Sequence, residues 1–233
     1  MSDAVDLTVV LPAYLEEENL RLLLPRLRAA LESLGVHWEV IVVDTMTPLD
    51  KTPQVCRVNG CIYVARVGGN NFGDAVRTGI RNSNGRWVLF MDADGSHPPE
   101  FIVDMWDCRK EADIVIASRY TVGGVTENSL PLMWMSRALN LTYSLMLGLK
   151  CHDVSNSFKL YPGDALRDLA LVCHHFDIVE EILYKLVKGK EQLTLREIPF
   201  AFKKRMFGET KRNLLLFMLS YFYTIVRLRS MRV

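Results

Sequence analysis

Two carboxylates one residue apart, Asp92 and Asp94, end an apolar run (Trp87-Val88-Leu89-Phe90-Met91), and Gly95-Ser96-His97-Pro98-Pro99 follows. Carboxylates at alternate positions beyond a strand can share a hard divalent cation, with phosphate oxygens and waters completing its coordination. Gly95 leaves backbone room at that point, and Pro98-Pro99 suits the opening of a helix. The same spacing also fits a solvated turn, or a first Asp that attacks phosphorus.

Such residues need elements that carry several loops to one place. Asp6–Leu11, Trp38–Asp44, Cys61–Ala65, Trp87–Met91 and Ile114–Ser118 read as strands. Glu16–Leu34, Thr52–Val58, Phe72–Asn82 and Pro98–Arg109 read as the helices between them. Near-continuous apolar strands alternating with helices predict an α/β fold whose mostly parallel central sheet is covered on both faces. Ligands in such sheets bind beyond the carboxyl ends of the strands. Tyr14–Glu18, Asp44–Asp50 and Asp92–His97 all fall at that rim, so three separate loops bring acids to one edge. The second half is more helical, with helices expected over Leu130–Gly148, Asp164–Val172 and Asp177–Val187 and short strands over Ser157–Tyr161 and Thr194–Pro199. With no repeat and no linker, the reading is one domain over 1–210 and a C-terminal amphipathic helix over 211–233.

At 233 residues, 49% apolar and 24% charged, the chain can bury a substantial core. A formal net charge of +1 does not point to nucleic acid as a partner. Five cysteines without paired spacing argue against a disulfide framework and suit a reducing compartment. Cys151-His152-Asp153 and Cys173-His174-His175 lack the second CxxC or HxxxH that would make a zinc site. MSDAVDLTVV has no basic region ahead of its short apolar run, so no signal peptide is expected. The apolar block Leu214–Val226 would be about 20 Å long as a helix, too short to span roughly 30 Å of hydrocarbon. Lys211 and Arg212 before it, and Arg227, Arg229 and Arg232 after it, suit either a helix at a bilayer interface or one that closes the domain.

The motifs along the chain resemble those of family 2 glycosyltransferases with the GT-A fold. Pro12-Ala13-Tyr14-Leu15-Glu16-Glu17-Glu18-Asn19-Leu20 is similar to that family's PAYNEExNL opening. Asn71-Phe72-Gly73-Asp74-Ala75, Gly79-Ile80, Gly85 and Met91-Asp92-Ala93-Asp94 resemble its NxGxAxxxGI…G…MDAD block. Ala117-Ser118-Arg119-Tyr120 looks like GSRY, and Asp153–Tyr161 (DVSNSFKLY) resembles DPTSGFRAY. Phe202–Lys211 (FKKRMFGETK) resembles the F-x-x-R-x-x-G-E-S-K close of the polyprenyl-phosphate mannose synthase branch. A competing resemblance, to the nucleophile loop of haloacid-dehalogenase-type phosphatases, fits less well. That loop belongs on a first strand, and three strands precede it here.

The resemblance implies a role for each motif. Pro12, Ala13, Tyr14 and Glu16 are expected to line the nucleoside pocket, with Asn71, Gly73 and Ala93 also on the donor side, and Asp44 to bind the base or ribose. Asp92 would face the ribose and diphosphate, and Asp94 would ligate Mg²⁺ or Mn²⁺ with Asp92 and Ser96. A sugar hydroxyl acceptor must lose a proton to a base, whereas a polyprenyl phosphate is already an anionic nucleophile that needs cations to hold it. Arg119, Arg137, Lys159, Arg205 and Lys211 are the cations offered for that phosphate, and Asp92, Asp94 and Arg119 the residues at the chemistry. Asp177 and Glu181 are the bases available in the second half if the acceptor is a hydroxyl.

Three departures bear on these expectations. The family's second loop reads VDDGSxDxT, but Val43-Asp44-Thr45-Met46-Thr47-Pro48-Leu49-Asp50-Lys51-Thr52 lacks the second acid and is one residue longer. This leaves guanine and uracil both open as the base. Lys159 replaces an Arg, keeping the charge without the bidentate fork. Several branch members continue into a transmembrane bundle, so this chain is expected to act peripherally at the cytosolic face of a membrane or with a membrane-embedded partner subunit. The expected activity is inverting, metal-dependent transfer of a hexose to a polyprenyl phosphate, with mannose from GDP-mannose as the first donor. The alternatives are a UDP-sugar transferase acting on a saccharide hydroxyl and a non-catalytic sugar-nucleotide-binding subunit.

Overall fold

The computed structural model describes residues 4–189, 192–207 and 223–230. Its sheet has the strand order β3-β2-β1-β4-β7-β5-β8. The strands are β1 (Leu7–Pro12), β2 (Trp38–Asp44), β3 (Ile62–Ala65), β4 (Trp87–Phe90), β5 (Ile114–Ser118), β7 (Lys159–Pro162) and β8 (Leu195–Pro199). β1, β2, β3 and β4 pair in parallel. β7 is antiparallel to both β4 and β5, so the two reversals cancel and β5 and β8 run the same way as β1. The carboxyl ends of six strands therefore share one rim. A small parallel ribbon, β6 (Val125–Thr126) with β9 (Ala201–Phe202), sits beyond it.

Side-chain alternation builds the two core layers. Leu7, Val9 and Leu11 of β1, with Val40 and Val42 of β2, pack on α1 (Glu17–Glu32) and α4 (Ile102–Cys108). Val10, Ile41, Val43, Val88 and Phe90 face the other way, toward α3 (Phe72–Asn82), α5 (Leu130–Leu147), α6 (Gly163–Arg167) and α7 (Ile178–Lys188). α1 buries Leu20, Leu23, Leu24, Leu27 and Leu31, one stripe at helical spacing. α2 (Thr52–Val58) crosses from β2 to β3.

Several predicted bounds move for local reasons. The helix expected over Pro98–Arg109 opens with a tight 3₁₀ turn at Pro99–Phe101. The helix expected over Asp164–Val172 ends at Arg167. The Glu181 carboxylate accepts the Val172 and Cys173 N–H groups at 2.8–3.1 Å, which draws that stretch away from a helical ladder. β7 begins at Lys159, two residues later than predicted. Of the predicted C-terminal helix, residues 223–230 are described and are helical. Ile225 and Leu228 are buried in the core, while Tyr223 and Val226 are exposed. Arg229 donates to the Met146 carbonyl and Arg227 to that of Val172, so these residues lie on the domain.

Candidate active site

The loop after β4 is held by its own backbone. Asp92 N–H donates to His97 Nδ1 at 3.0 Å, and the Asp94 carboxylate accepts Ser96 N–H at 3.0 Å. His97 is fully buried, stacked on Phe158 at 4.7 Å and met edge-on by Phe200 and Phe202. Burial lowers its pKa below 6.5, and an Nδ1 that accepts a hydrogen bond leaves the proton of the neutral ring on Nε2. Ser157 Oγ donates to Asp92 Oδ1 at 2.8 Å. Gly95 sits at φ +80°, and a Cβ there would come within 2.4 Å of Met206 Cε, so both conformation and packing call for glycine. His97 was absent from the predicted site; a His three residues after the second Asp was its one sequence signal.

The metal expectation can be weighed against this donor set. Among the described residues no three His, Cys, Asp or Glu side chains form a cluster able to hold an ion alone. Ser96 Oγ is buried without a hydrogen-bond partner, and the half-buried Asp94 gives only one oxygen to Ser96. Those groups fit an ion such as Mg²⁺, which takes one or two carboxylates from the protein and completes its shell with phosphates and water.

A second segment lies along this loop. Lys203 N–H donates to the Ser96 carbonyl at 3.0 Å and Met206 N–H to that of Asp94 at 2.9 Å. Arg205 Nη2 reaches Glu16 Oε1 at 3.1 Å. Burial raises the Glu16 pKa, opposed by Asn19 and Arg205 and reinforced by the nearby Asp94 charge. The proximity of Glu16 to Asp94 thus has an electrostatic cost that Arg205 offsets.

The ends of β1 and β2 supply the neighbouring part of the rim. Asp44 is 1% exposed and accepts from Tyr63 OH at 3.3 Å and Thr45 Oγ1 at 3.4 Å. Burial raises its pKa, and Asp50 adds to the rise. Ala13 N–H donates to the Val43 carbonyl at 2.9 Å, continuing the β1–β2 ladder past Pro12, while Tyr14 stands 41% exposed at the rim. Arg66, which sequence reasoning missed, is buried and donates to the Ala13 and Asn70 carbonyls. It joins the first loop to the start of α3. Asn71 and Asp74 form a reciprocal cap there. A Cβ on Gly73 would lie 2.6 Å from the His174 carbonyl oxygen, so Gly73 permits close backbone packing. Ala93 is buried in the core. Pro12, Ala13, Glu16, Asp44, Asp92, Asp94 and Ser96 thus stand at the ends of three adjacent strands, with Asn71 and Gly73 at the start of α3.

The predicted cations divide sharply. Arg119 leaves β5 and forks onto Asp153 through Nε at 2.8 Å and Nη2 at 2.7 Å, with its ring neighbours Tyr120 at 5.0 Å and Phe202 at 5.5 Å. Asp153 is fully buried, which would raise its pKa, yet Arg119 brings it below 3.8. Glu197 holds that loop by accepting His152 N–H at 2.8 Å and Asp153 N–H at 2.9 Å. Arg137 on α5 faces the Tyr120 ring at 5.6 Å. Lys159 corrects the phosphate expectation: it is 0% exposed, and its ammonium donates to the Val154 and Asn156 carbonyls. A central position on β7 between β4 and β5 turns it into the protein, and burial lowers its pKa. Lys211 lies outside the described residues. Both candidate bases are engaged by partners of their own. Glu181 is buried against Val172, Cys173 and Lys185, and Asp177 accepts His175 N–H and Thr224 Oγ1.

Acids at the carboxyl ends of three parallel strands, under a return segment from β8, define a GT-A nucleotide-diphospho-sugar transferase fold. The family model for glycosyl transferase family 2 matches residues 8–170. The chain belongs to that family. It is 32% identical over 217 residues to a dolichol-phosphate mannosyltransferase of Pyrococcus furiosus, covering 88% of this chain and 58% of that protein. It is 30% identical over 216 residues to an undecaprenyl-phosphate mannosyltransferase of Micrococcus luteus, covering 88% and 86%. A third relative, at 30% identity, is an undecaprenyl-phosphate 4-deoxy-4-formamido-L-arabinose transferase of Pseudomonas paraeruginosa, with 88% and 59% covered. The chain therefore spans about three-fifths of the Pyrococcus and Pseudomonas proteins. Among solved structures, glucosyl-3-phosphoglycerate synthase of Mycobacterium tuberculosis, in complex with Mn²⁺, UDP and glucosyl-3-phosphoglycerate, superposes with a TM-score of 0.72 at 15% identity. That match covers 98% of this chain and 81% of the synthase.

Proposed function

We propose that this glycosyltransferase moves a hexose from a nucleotide donor onto a polyprenyl phosphate with inversion, at a membrane surface, and that GDP-mannose is the first donor to test. The observation that carries the acceptor assignment is the placing of Arg119 and Arg205. Arg119 stacks on Phe202, which packs on the His97 that holds Asp92, and Arg205 pairs with the Glu16 whose charge meets Asp94. An anionic acceptor needs such cations and no general base. The structural commitment of Glu181 and Asp177 agrees with that. All three curated relatives are named for transfer to a dolichol or undecaprenyl phosphate.

On this reading Asp44, Tyr14 and the Pro12–Ala13 backbone seat the nucleoside, and Asp92 orients the donor sugar end. Asp94, Asp92 and Ser96 would hold a divalent ion, which neutralises the nucleoside diphosphate as it leaves. Arg119, with Arg137 beside the same tyrosine, and Arg205 hold the acceptor phosphate, whose oxygen attacks the anomeric carbon from the face opposite the diphosphate. Asp153 keeps the Arg119 fork pointed by a bidentate pair.

A thermal-shift panel of GDP- and UDP-sugars with and without Mn²⁺ identifies the donor, since a ligand at 100 times its Kd stabilises by about 2.7 kcal/mol. Transfer from the best binder is then measured to a short-chain polyprenyl phosphate and to soluble saccharides. Product on the saccharide alone refutes the acceptor assignment. Donor binding without turnover on any acceptor identifies a binding subunit instead.

A further inference from the structure

We propose that Asn19 is a positioning residue: its carboxamide clasps the backbone of Phe207, closes residues 203–207 over the Asp92–Ser96 loop and so sets where Arg205 stands. Asn19 lies in the first turns of α1 and is 2% exposed. Its Oδ1 accepts Phe207 N–H at 3.0 Å, and its Nδ2 donates to the Phe207 carbonyl at 3.4 Å. The side-chain amide thus meets both polar groups of one residue, as a neighbouring strand would. Nδ2 also donates to Glu16 Oε2 at 2.5 Å, whose other oxygen takes Arg205 at 3.1 Å. Arg205 Nε returns to the Phe207 carbonyl at 2.8 Å. Asn19, Glu16, Arg205 and Phe207 close a ring across 188 residues of sequence.

The segment is held mainly by polar contacts. Lys203, Lys204 and Phe207 are exposed, with 42% of Phe207 open, so burial of these side chains does not anchor it. Beyond the ring its ties include the Lys203 and Met206 N–H bonds to the Ser96 and Asp94 carbonyls, the Lys204 N–H bond to the Glu127 carboxylate at 2.9 Å, and Met206 against Gly95. Only an amide suits position 19. An aspartate of the same size keeps the acceptor for Phe207 N–H but sets a carboxylate against Glu16 and the Phe207 carbonyl.

The role through Arg205 rests on the reading above, whereas the clasp does not, and two measurements separate them. Hydrogen–deuterium exchange of the full chain needs no substrate. In Asn19→Asp, with Asn19→Ala as the second variant should the first not fold, the Met206 and Phe207 amides should exchange at least about tenfold faster while β1 and β4 keep their protection. Unchanged protection at Met206 and Phe207 overturns the proposal. For transfer to polyprenyl phosphate, Asn19→Asp and Arg205→Ala should each lower kcat/KM, and the double variant should fall no further than Arg205→Ala alone. Additive losses, or faster exchange with unaltered kinetics, overturn it equally. Should the unaltered chain transfer nothing to polyprenyl phosphate, the acceptor reading fails by itself. The same three variants are then compared by calorimetry for binding of Mn²⁺ with the nucleoside diphosphate chosen by the thermal-shift panel, under the same non-additivity criterion.

Discussion

Asp94 and Arg119 each leave the carboxyl end of a strand at the same rim, yet they arrive there with different company. The Asp94 loop is shaped by neighbours within five residues: its own turn to Ser96, and His97 returning to Asp92. Arg119 is shaped from 34 residues away by Asp153, which Glu197 holds from 44 residues further on. The turn of the Asp92–Ser96 loop is therefore set close by in sequence, and Ser157, Lys203 and Met206 add bonds from further along the chain. Arg119 is set by pairs between distant segments, and there the partner decides whether a charge faces the rim or the core. Lys159 shows the second outcome, a cation in a matching motif that points inward.

The largest effect expected on this contrast is at Asp94. Asp94→Ala should lower transfer on the order of 10²–10³-fold and abolish the Mn²⁺-dependent part of nucleotide stabilisation, with little change in the apo-protein midpoint. A variant that keeps its metal response would move the ion elsewhere on the rim. Asp153→Ala should instead act on the fold, because it leaves the largely buried Arg119 without its partner. A loss of roughly 3–5 kcal/mol in urea unfolding is expected. A loss below 1 kcal/mol, about that of an exposed pair, would show that Arg119 is held by something else.

Lys159→Met sharpens the comparison between the two cations. It removes the donor to two buried carbonyls, so a cost of about 1–3 kcal/mol in stability is expected while KM for donor and acceptor stays the same. A raised acceptor KM would return Lys159 to the site. The smallest effect is on the pH dependence of stability. Arg119 holds the Asp153 carboxyl below 3.8 in the folded chain. The stabilisation of a depressed carboxylate is complete above its unfolded value, near about pH 4, and is lost as pH falls through the folded value. The gap in urea midpoint between the unaltered chain and Asp153→Asn should therefore narrow on acidification, and a gap independent of pH would contradict the pair.

The strands of the first half were legible because each is a run of β-branched and apolar residues, and Trp38–Asp44 and Ile114–Ser118 have the predicted bounds. The Asp92, Asp44 and Glu16 loops followed from the rim rule for parallel sheets. Less legible were features whose cause lies far along the chain. Arg66 gives no local sign that it bonds the carbonyl of Ala13, 53 residues earlier. The early end of α6 depends on Glu181, a residue that reads locally as an amphipathic glutamate.

From its sequence alone this chain determined a mostly parallel α/β sheet, the family motifs and the carboxylates beyond three strands. These rest on periodicity and short loops, which act within a few residues. Only the tertiary structure decided that Lys159 turns inward, that Arg119 forks onto Asp153 and that Glu181 is structural. It also decided that Asn19 holds Phe207 beside Asp94. A long cationic or amide side chain takes whichever partner the fold brings within about 3 Å, and local patterning does not encode that distance.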